Sequence, residues 1–339
     1  MIKDRVNICL IGAGRAGMIH GRNFASRVPG ACIISVCDPS EEACAAAAGE
    51  LGITDTFTDY REALRDERVD AVVVVTPTAY HRDIVIAAAK AGKHILCEKP
   101  MAMNAQECEE MIQAAEENHV KLQVGFMRRF DASFVRAKEL LDSGAVGDLV
   151  LVKSLTRGPS IPKPWMYDIH KSNGPLAEVN SHDIDTMRWF SGSEFQTVYA
   201  LAGNYRCGDA RQDFPDFYDN VILNARFANG VLGCLDGAQG VRYGYDARVE
   251  ILGTKGSIML GDLQDKTTVV YTMDGGKTAD VVQSWMHLFR EAYLNEDISF
   301  VKAVREDGPV LVTGRDGLMA VRVVNAGNKS IVTGNVVEL

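Results

Sequence analysis

Val6-Asn7-Ile8-Cys9-Leu10-Ile11-Gly12-Ala13-Gly14-Arg15-Ala16-Gly17 joins a largely apolar run to a G-x-G-x-x-G turn, and a helix pattern follows it. A lone glycine motif is weak evidence. Here it follows a strand, opens a helix and precedes a second strand, Ala31 to Cys37, that ends at Asp38. The motif's last glycine stands 21 positions before Asp38, the spacing at which a carboxylate reaches the ribose of a bound dinucleotide. Gly12 permits the tight turn, Gly14 lets backbone approach a pyrophosphate, and Gly17 lets helix and strand pack closely. Arg15 and Ala16 complete the turn, and the helix N-terminus presents N–H groups to the anion. Asp38 accepts hydrogen bonds from both ribose hydroxyls and repels a 2′-phosphate, which predicts NAD rather than NADP.

Outward from this unit the pattern keeps alternating. Ser40 caps a helix whose first turn carries Glu41 and Glu42. Residues 70–75 read as a buried strand, and Thr76-Pro77-Thr78 leads into a helix ending near Gly92. Strand 94–98 follows, then Asn104 with Glu107 at capping-box spacing, a helix to about Asn118 and strand 121–126. Such alternation is a doubly wound parallel sheet, with ligands beyond the carboxyl ends of its strands. Thr76, Pro77 and His81 are therefore placed beside the cofactor. Glu98-Lys99-Pro100 closes a strand where the nicotinamide half belongs; Lys99 is either a proton donor in that crevice or a solvated surface lysine.

The chain has 339 residues, enough for two domains. With 47% apolar and 24% charged residues it has the composition of a soluble globular protein. Its formal net charge of −9 argues against a nonspecific nucleic-acid binder. There is no apolar run of membrane-spanning length and no signal-peptide pattern at the start, which sets a cytoplasmic protein as the expectation. The 8 cysteines contain no Cys-x-x-Cys pair and read as buried thiols rather than disulfides or a zinc site.

A second concentration of chemistry lies at Gly174-Pro175-Leu176-Ala177-Glu178-Val179-Asn180-Ser181-His182-Asp183-Ile184-Asp185. On one continuous helix Glu178 and His182 share a face, either as an oriented general base or as an ordinary helix contact. Asp183 and Asp185 are assigned to structural or substrate contacts, with no metal expected.

With the glycine turn, Glu98-Lys99-Pro100 and the segment from Gly174 to Trp189 in this order, the chain resembles the glucose–fructose oxidoreductase/inositol dehydrogenase family over essentially its whole length. The resemblance implies an N-terminal Rossmann sheet and a C-terminal α/β domain with a large, mainly antiparallel sheet. It implies NAD(P)-dependent oxidation of sugars or cyclitols, with Lys99 matching the catalytic lysine and His182 the catalytic histidine. The inositol dehydrogenase branch typically carries aspartate four residues before that histidine, where this chain has Glu178. Gly125 to Asp131 resembles the family's interdomain segment, in which Arg128 is assigned to substrate while at least one of Arg128 and Arg129 serves the junction.

The domains expected are 1–126, binding NAD, and 127–339, for substrate binding and oligomerisation, with C-terminal helices packing back on the first. The second half reads as a helix to about Leu141, strand 148–157, an irregular segment 158–173 and a helix from Leu176 to Phe190. Strands follow at 220–228, 231–238, 247–252 and 257–260, and helices at 284–305 and 315–328. Trp165 either stacks on a sugar ring or packs under its loop. Tyr245 is a substrate candidate, with loop packing as its alternative. The partners expected are a small polyol or sugar and a second copy of the chain, as homodimer or homotetramer, with no nucleic acid and no membrane. The activity expected is oxidation of a secondary hydroxyl on an inositol-like ring. Its alternatives are a keto-sugar or nucleotide-sugar reductase and a catalytically silent NAD-binding sensor.

Overall fold

In a computed structural model describing residues 5–339, the chain divides into two units. The first comprises the chain up to Asp131 together with Glu291–Val321; the second comprises Ala132–Arg290 and Arg322–Leu339.

The first unit follows from strands too apolar to face water. β1 (Val6–Ile11), β2 (Ala31–Cys37), β3 (Asp55–Phe57), β4 (Ala71–Val74), β5 (His94–Glu98) and β6 (Leu122–Gly125) form one parallel sheet in the order β3-β2-β1-β4-β5-β6. Every residue of β4 is buried, as expected where helices cover both faces. Each valine so buried contributes about 1.5–3 kcal/mol. The helices are α1 (Arg15–Ser26), α2 (Glu41–Leu51), α3 (Tyr60–Leu64), α4 (His81–Lys90) and α5 (Ala105–Glu117). Ser40 caps α2 by accepting from the Ala43 N–H at 3.2 Å, and Asn104 caps α5 by accepting from the Glu107 N–H at 2.9 Å. Glu107 returns to the Asn104 side chain, accepting from its Nδ2 at 2.9 Å, and to the Met103 N–H at 3.0 Å. The short edge strand β3 and helix α3 are absent from the sequence reading.

In the second unit α6 (Ala132–Asp142) precedes β7 (Leu149–Gly158), and the segment before the next strand holds three short helices. These are α7 (Ile169–Ser172), α8 (Gly174–Glu178) and α9 (Ser181–Ser191). Next come β8 (Phe195–Gly203), β9 (Asn220–Phe227), β10 (Leu232–Gln239), β11 (Asp246–Gly253) and β12 (Ser257–Leu260). An exposed hairpin of β13 (Gln264–Tyr271) and β14 (Lys277–Val281) stands apart as its own sheet. α10 (Trp285–Leu288) follows; α11 (Arg290–Arg305), from Glu291 on, and the start of α12 (Gly314–Thr333) belong to the first unit, and the rest of α12 and β15 (Val337–Glu338) to the second.

The large sheet runs β12-β11-β7-β10-β9-β8-β15, antiparallel except where β10 meets β7. β9 alternates buried Val221, Leu223, Ala225 and Phe227 with exposed Ile222, Asn224 and Arg226, so one face is covered and the other is open. Gly327 lets α12 lie close on the covered face: a Cβ there would sit 2.8 Å from Leu176 and 3.0 Å from Leu223.

Candidate active site

The glycine turn has the geometry that an anion cradle needs. Gly12 has φ +104°, and a Cβ on it would lie 2.5 Å from the Val75 carbonyl oxygen; a Cβ on Gly17 would lie 2.0 Å from the Gly12 carbonyl oxygen. Gly14 is the opposite case, since a Cβ there would meet nothing within 4 Å. It is also the N-cap of α1 and offers no side chain to the first-turn amides. Gly14 and Arg15 are exposed and Ala16 is half-buried. Open space at uncapped helix N–H groups is what a pyrophosphate requires. Asp38, at the end of β2, accepts from the Ala13 N–H at 2.9 Å and the Ser40 N–H at 3.0 Å. The carboxylate thus ties the glycine turn to the start of α2. These residues fit NAD.

At the next strand ends the structure brings Thr76, His81 and Pro100 together. His81 is buried, with Nδ1 2.9 Å from the Pro100 carbonyl and Nε2 2.7 Å from the Thr76 carbonyl. Burial holds its pKa below the ordinary imidazole value. A neutral ring donates to one carbonyl at a time, and either way it fastens the segment after β4 to the one after β5. Pro77 is exposed beside this strap.

Glu98 ends β5 buried while Lys99 is half-buried, and the Lys99–Pro100 peptide is cis. One Glu98 oxygen accepts from the Lys99 backbone N–H at 2.9 Å, and the other faces His20 Nε2 at 3.2 Å. Across the sheet Glu98 pairs with Gly125, where a Cβ would come within 3.0 Å of the carboxyl carbon. His20 Nδ1 lies 2.7 Å from Asp297, whose other oxygen accepts from Asn23 Nδ2 at 2.8 Å. Burial opposes a charged ring, but the Asp297 carboxylate and then Glu98 outweigh it, so the pKa of His20 stands well above the ordinary imidazole value. Glu296 is fully buried with both carboxylate oxygens lacking a hydrogen-bonding partner; burial, then repulsion by Glu98, pushes its pKa far up. His20, Glu98 and Glu296 have ligand-type atoms within 4.8 Å of one another, but both nitrogens of His20 face carboxylates. Of this cluster the sequence reading named Glu98 alone and missed His20, Glu296 and Asp297. The local signal for His20 was its place on the α1 face that also buries Gly17 and Phe24.

In the second unit the structure corrects the continuous helix expected from Leu176 to Phe190. α8 ends at Glu178 and α9 begins at Ser181, with Val179 (φ −112°, ψ −54°) and Asn180 (φ −89°, ψ 0°) between them. Glu178 and His182 are therefore not four residues along one helix face. The reason is tertiary. Asp183, fully buried, accepts from Ser154 Oγ at 2.6 Å, Thr156 Oγ1 at 2.9 Å and Asn180 Nδ2 at 2.9 Å. This fastens the first turn of α9 to β7. Gly237 of β10 makes the approach possible, since a Cβ on it would lie 2.1 Å from Asn180 Oδ1. His182, in that anchored turn, is buried, and Glu178 is half-buried.

The remaining candidates are placed as follows. Trp165 lies in a short helical turn, Pro164–Tyr167, and is 41% exposed. Tyr245 is buried, edge-on to Phe289 at 6.5 Å. Arg128 is buried, and its neighbour Arg129 pairs with Asp316 at 3.0 Å, within the first unit.

An NAD cradle at the strand ends of a doubly wound sheet, in a chain that continues into a large mainly antiparallel sheet, defines an NAD-binding oxidoreductase. The chain belongs to the oxidoreductase family with an NAD-binding Rossmann fold, whose model matches residues 6–126, and the GFO/IDH/MocA C-terminal domain model matches residues 134–259. It is 33% identical over 326 residues to the myo-inositol 2-dehydrogenase of Thermotoga maritima, covering 96% of each chain. It is 32% identical over 338 residues to the scyllo-inositol 2-dehydrogenase (NAD(+)) of Bacillus subtilis, covering 100% of this chain and 97% of that one. The crystal structure of scyllo-inositol dehydrogenase from Lactobacillus casei with bound NAD(H) and scyllo-inositol superposes with a TM-score of 0.90 at 27% identity, covering 98% and 99% of the two chains.

Proposed function

We propose that this protein is an NAD-dependent dehydrogenase that oxidises a secondary hydroxyl of a cyclitol. The observation that carries the reading is whole-length similarity to two inositol dehydrogenases, in a chain that keeps Lys99 at the end of β5 and His182 in the first turn of α9. Bound at the glycine turn and Asp38, NAD supplies the two-electron acceptor. The chain's own residues handle the proton. His182 takes it from the substrate hydroxyl. Lys99 stabilises the oxygen as negative charge develops on it. Glu178 binds a neighbouring hydroxyl or orients His182; Arg128, Trp165 and Tyr245 are further candidates for holding the ring. With one more methylene than aspartate, Glu178 reaches farther, and substrate preference is where that difference registers.

Two features support finer statements. Leu201, Ile222 and Leu232 are 59%, 51% and 42% exposed on the large sheet, which supports association with a second copy through that face. All 8 cysteines are free, which fits the reducing cytoplasm, and among the described residues no helix is long and apolar enough to cross a membrane.

The test is NAD reduction followed over a panel of inositols and aldoses, with NADP alongside and the reverse direction run on the corresponding ketones. Turnover on at least one inositol with NAD is expected. Tight NADH binding with no turnover across the panel in either direction would overturn the reading in favour of a binding protein.

A further inference from the structure

We infer that His20, locked by Asp297, is a positioning residue for Lys99 and acts through the Glu98 carboxylate. The inference rests on the reading of Lys99 as the group that meets the developing oxyanion.

At the end of β5 the strand pleat turns Glu98 inward while its neighbour Lys99 stays half-exposed. The two are joined again by the carboxylate, which accepts the Lys99 backbone N–H at 2.9 Å. Whatever fixes that carboxylate therefore fixes the backbone from which the lysine projects. His20 does so from α1, with Nε2 3.2 Å from the second Glu98 oxygen. His20 is itself immobilised: Nδ1 meets Asp297 at 2.7 Å, and the ring stands edge-on to Tyr293 at 5.4 Å. Asp297 is held in turn by Asn23. Segments far apart in the chain thus converge on one peptide unit.

An ordinary core contact would not be built this way. Three buried carboxyl groups around one imidazole cost more desolvation than apolar residues of the same volume, and a chain selected for stability alone gains by replacing them. Gly125 is glycine where any side chain would crowd the Glu98 carboxyl group, so the sheet itself is shaped around that group. Glu296 adds a buried carboxyl group with no hydrogen-bonding partner. An expense of this kind beside a residue assigned to the chemistry is the mark of a supported functional group.

The experiment is a double-mutant cycle on the full-length enzyme, using His20→Gln, Glu98→Gln and the double variant. Each is assayed with NAD and myo-inositol or the best panel substrate, beside Lys99→Ala. Each single variant is expected to lose about tenfold or more in kcat, with the KM for NAD changed less than about threefold. The double variant is expected to fall no further than the worse single one. Asp297→Asn keeps an oxygen facing His20 and serves if the others fail to fold; its kcat is expected to fall by at least about threefold. Single variants within about twofold of wild-type kcat, an Asp297→Asn enzyme with normal kcat, or losses that multiply in the double variant overturn the inference. If Lys99→Ala is inactive while His20→Gln and Glu98→Gln turn over normally, the positioning role alone fails. If Lys99→Ala itself turns over normally, the assignment of Lys99 fails and takes the positioning role with it.

Discussion

Asp38 carries two duties at once. Its oxygens accept from the Ala13 and Ser40 amides, so it both shapes the glycine turn and presents negative charge at the end of β2. Asp38→Ser is expected to raise the ratio of kcat/KM for NADP to that for NAD by about tenfold or more, since one lost charge repulsion or charge-assisted hydrogen bond is worth about 1.5–3 kcal/mol. It should also raise the KM for NAD, because the turn loses its tether. An unchanged cofactor ratio would remove Asp38 from the specificity role. Gly17→Ala tests the cradle more directly. Its methyl would lie 2.0 Å from the Gly12 carbonyl oxygen, an overlap expected to cost about 1–3 kcal/mol in urea unfolding and to weaken NADH binding by titration calorimetry. The glycines and Asp38 were legible in the sequence because turn chemistry is local. His20 was not, because its partners lie 78 and 277 positions away and nothing in α1 names them.

Among the elements, α9 shows how tertiary contacts override a local pattern. Val179 and Asn180 include neither glycine nor proline, so the one boundary signal between α8 and α9 is Asn180, the N-cap of α9. The break is made by Asp183 reaching Ser154 and Thr156 on β7. Three-residue β3 was invisible for a simpler reason, being too short to show a period. α11 brings a pH dependence. Glu296, Asp297 and His20 all bind protons more tightly folded than unfolded. Groups with raised folded-state values stabilise fully at low pH and lose that contribution as pH rises, for Glu296 from about its ordinary 4.5 upward. Glu296→Gln removes the titration. Its melting temperature minus that of wild type should therefore become more positive between about pH 5 and about pH 8. A difference that stays flat or moves the other way would mean that Glu296 is not held protonated.

For the whole molecule, the open face of the large sheet is the feature that bears on assembly. The period-two alternation in β9 matches its half-covered sheet, but the sequence reading took only the strand's range, and no local pattern says what meets its outer face. Association through that face predicts that Ile222→Lys, placing a charge beside exposed Leu201, lowers the mass measured by light scattering while leaving NADH binding intact. A wild-type protein that already has the mass of one chain would rule that association out. The two units also differ from a simple cut of the chain, since Glu291–Val321 belongs with the N-terminal sheet. That return has a consequence for biosynthesis. A ribosome releases the glycine turn and His20 early, yet Asp297 is made 277 residues later. The nucleotide-binding unit is therefore incomplete for most of translation, with an imidazole committed to burial and the nearer of its two carboxylate partners not yet made. A nascent chain stalled before residue 290 should be readily cut by protease and retained poorly by immobilised NAD, and release of the finished chain should be the event that closes the fold.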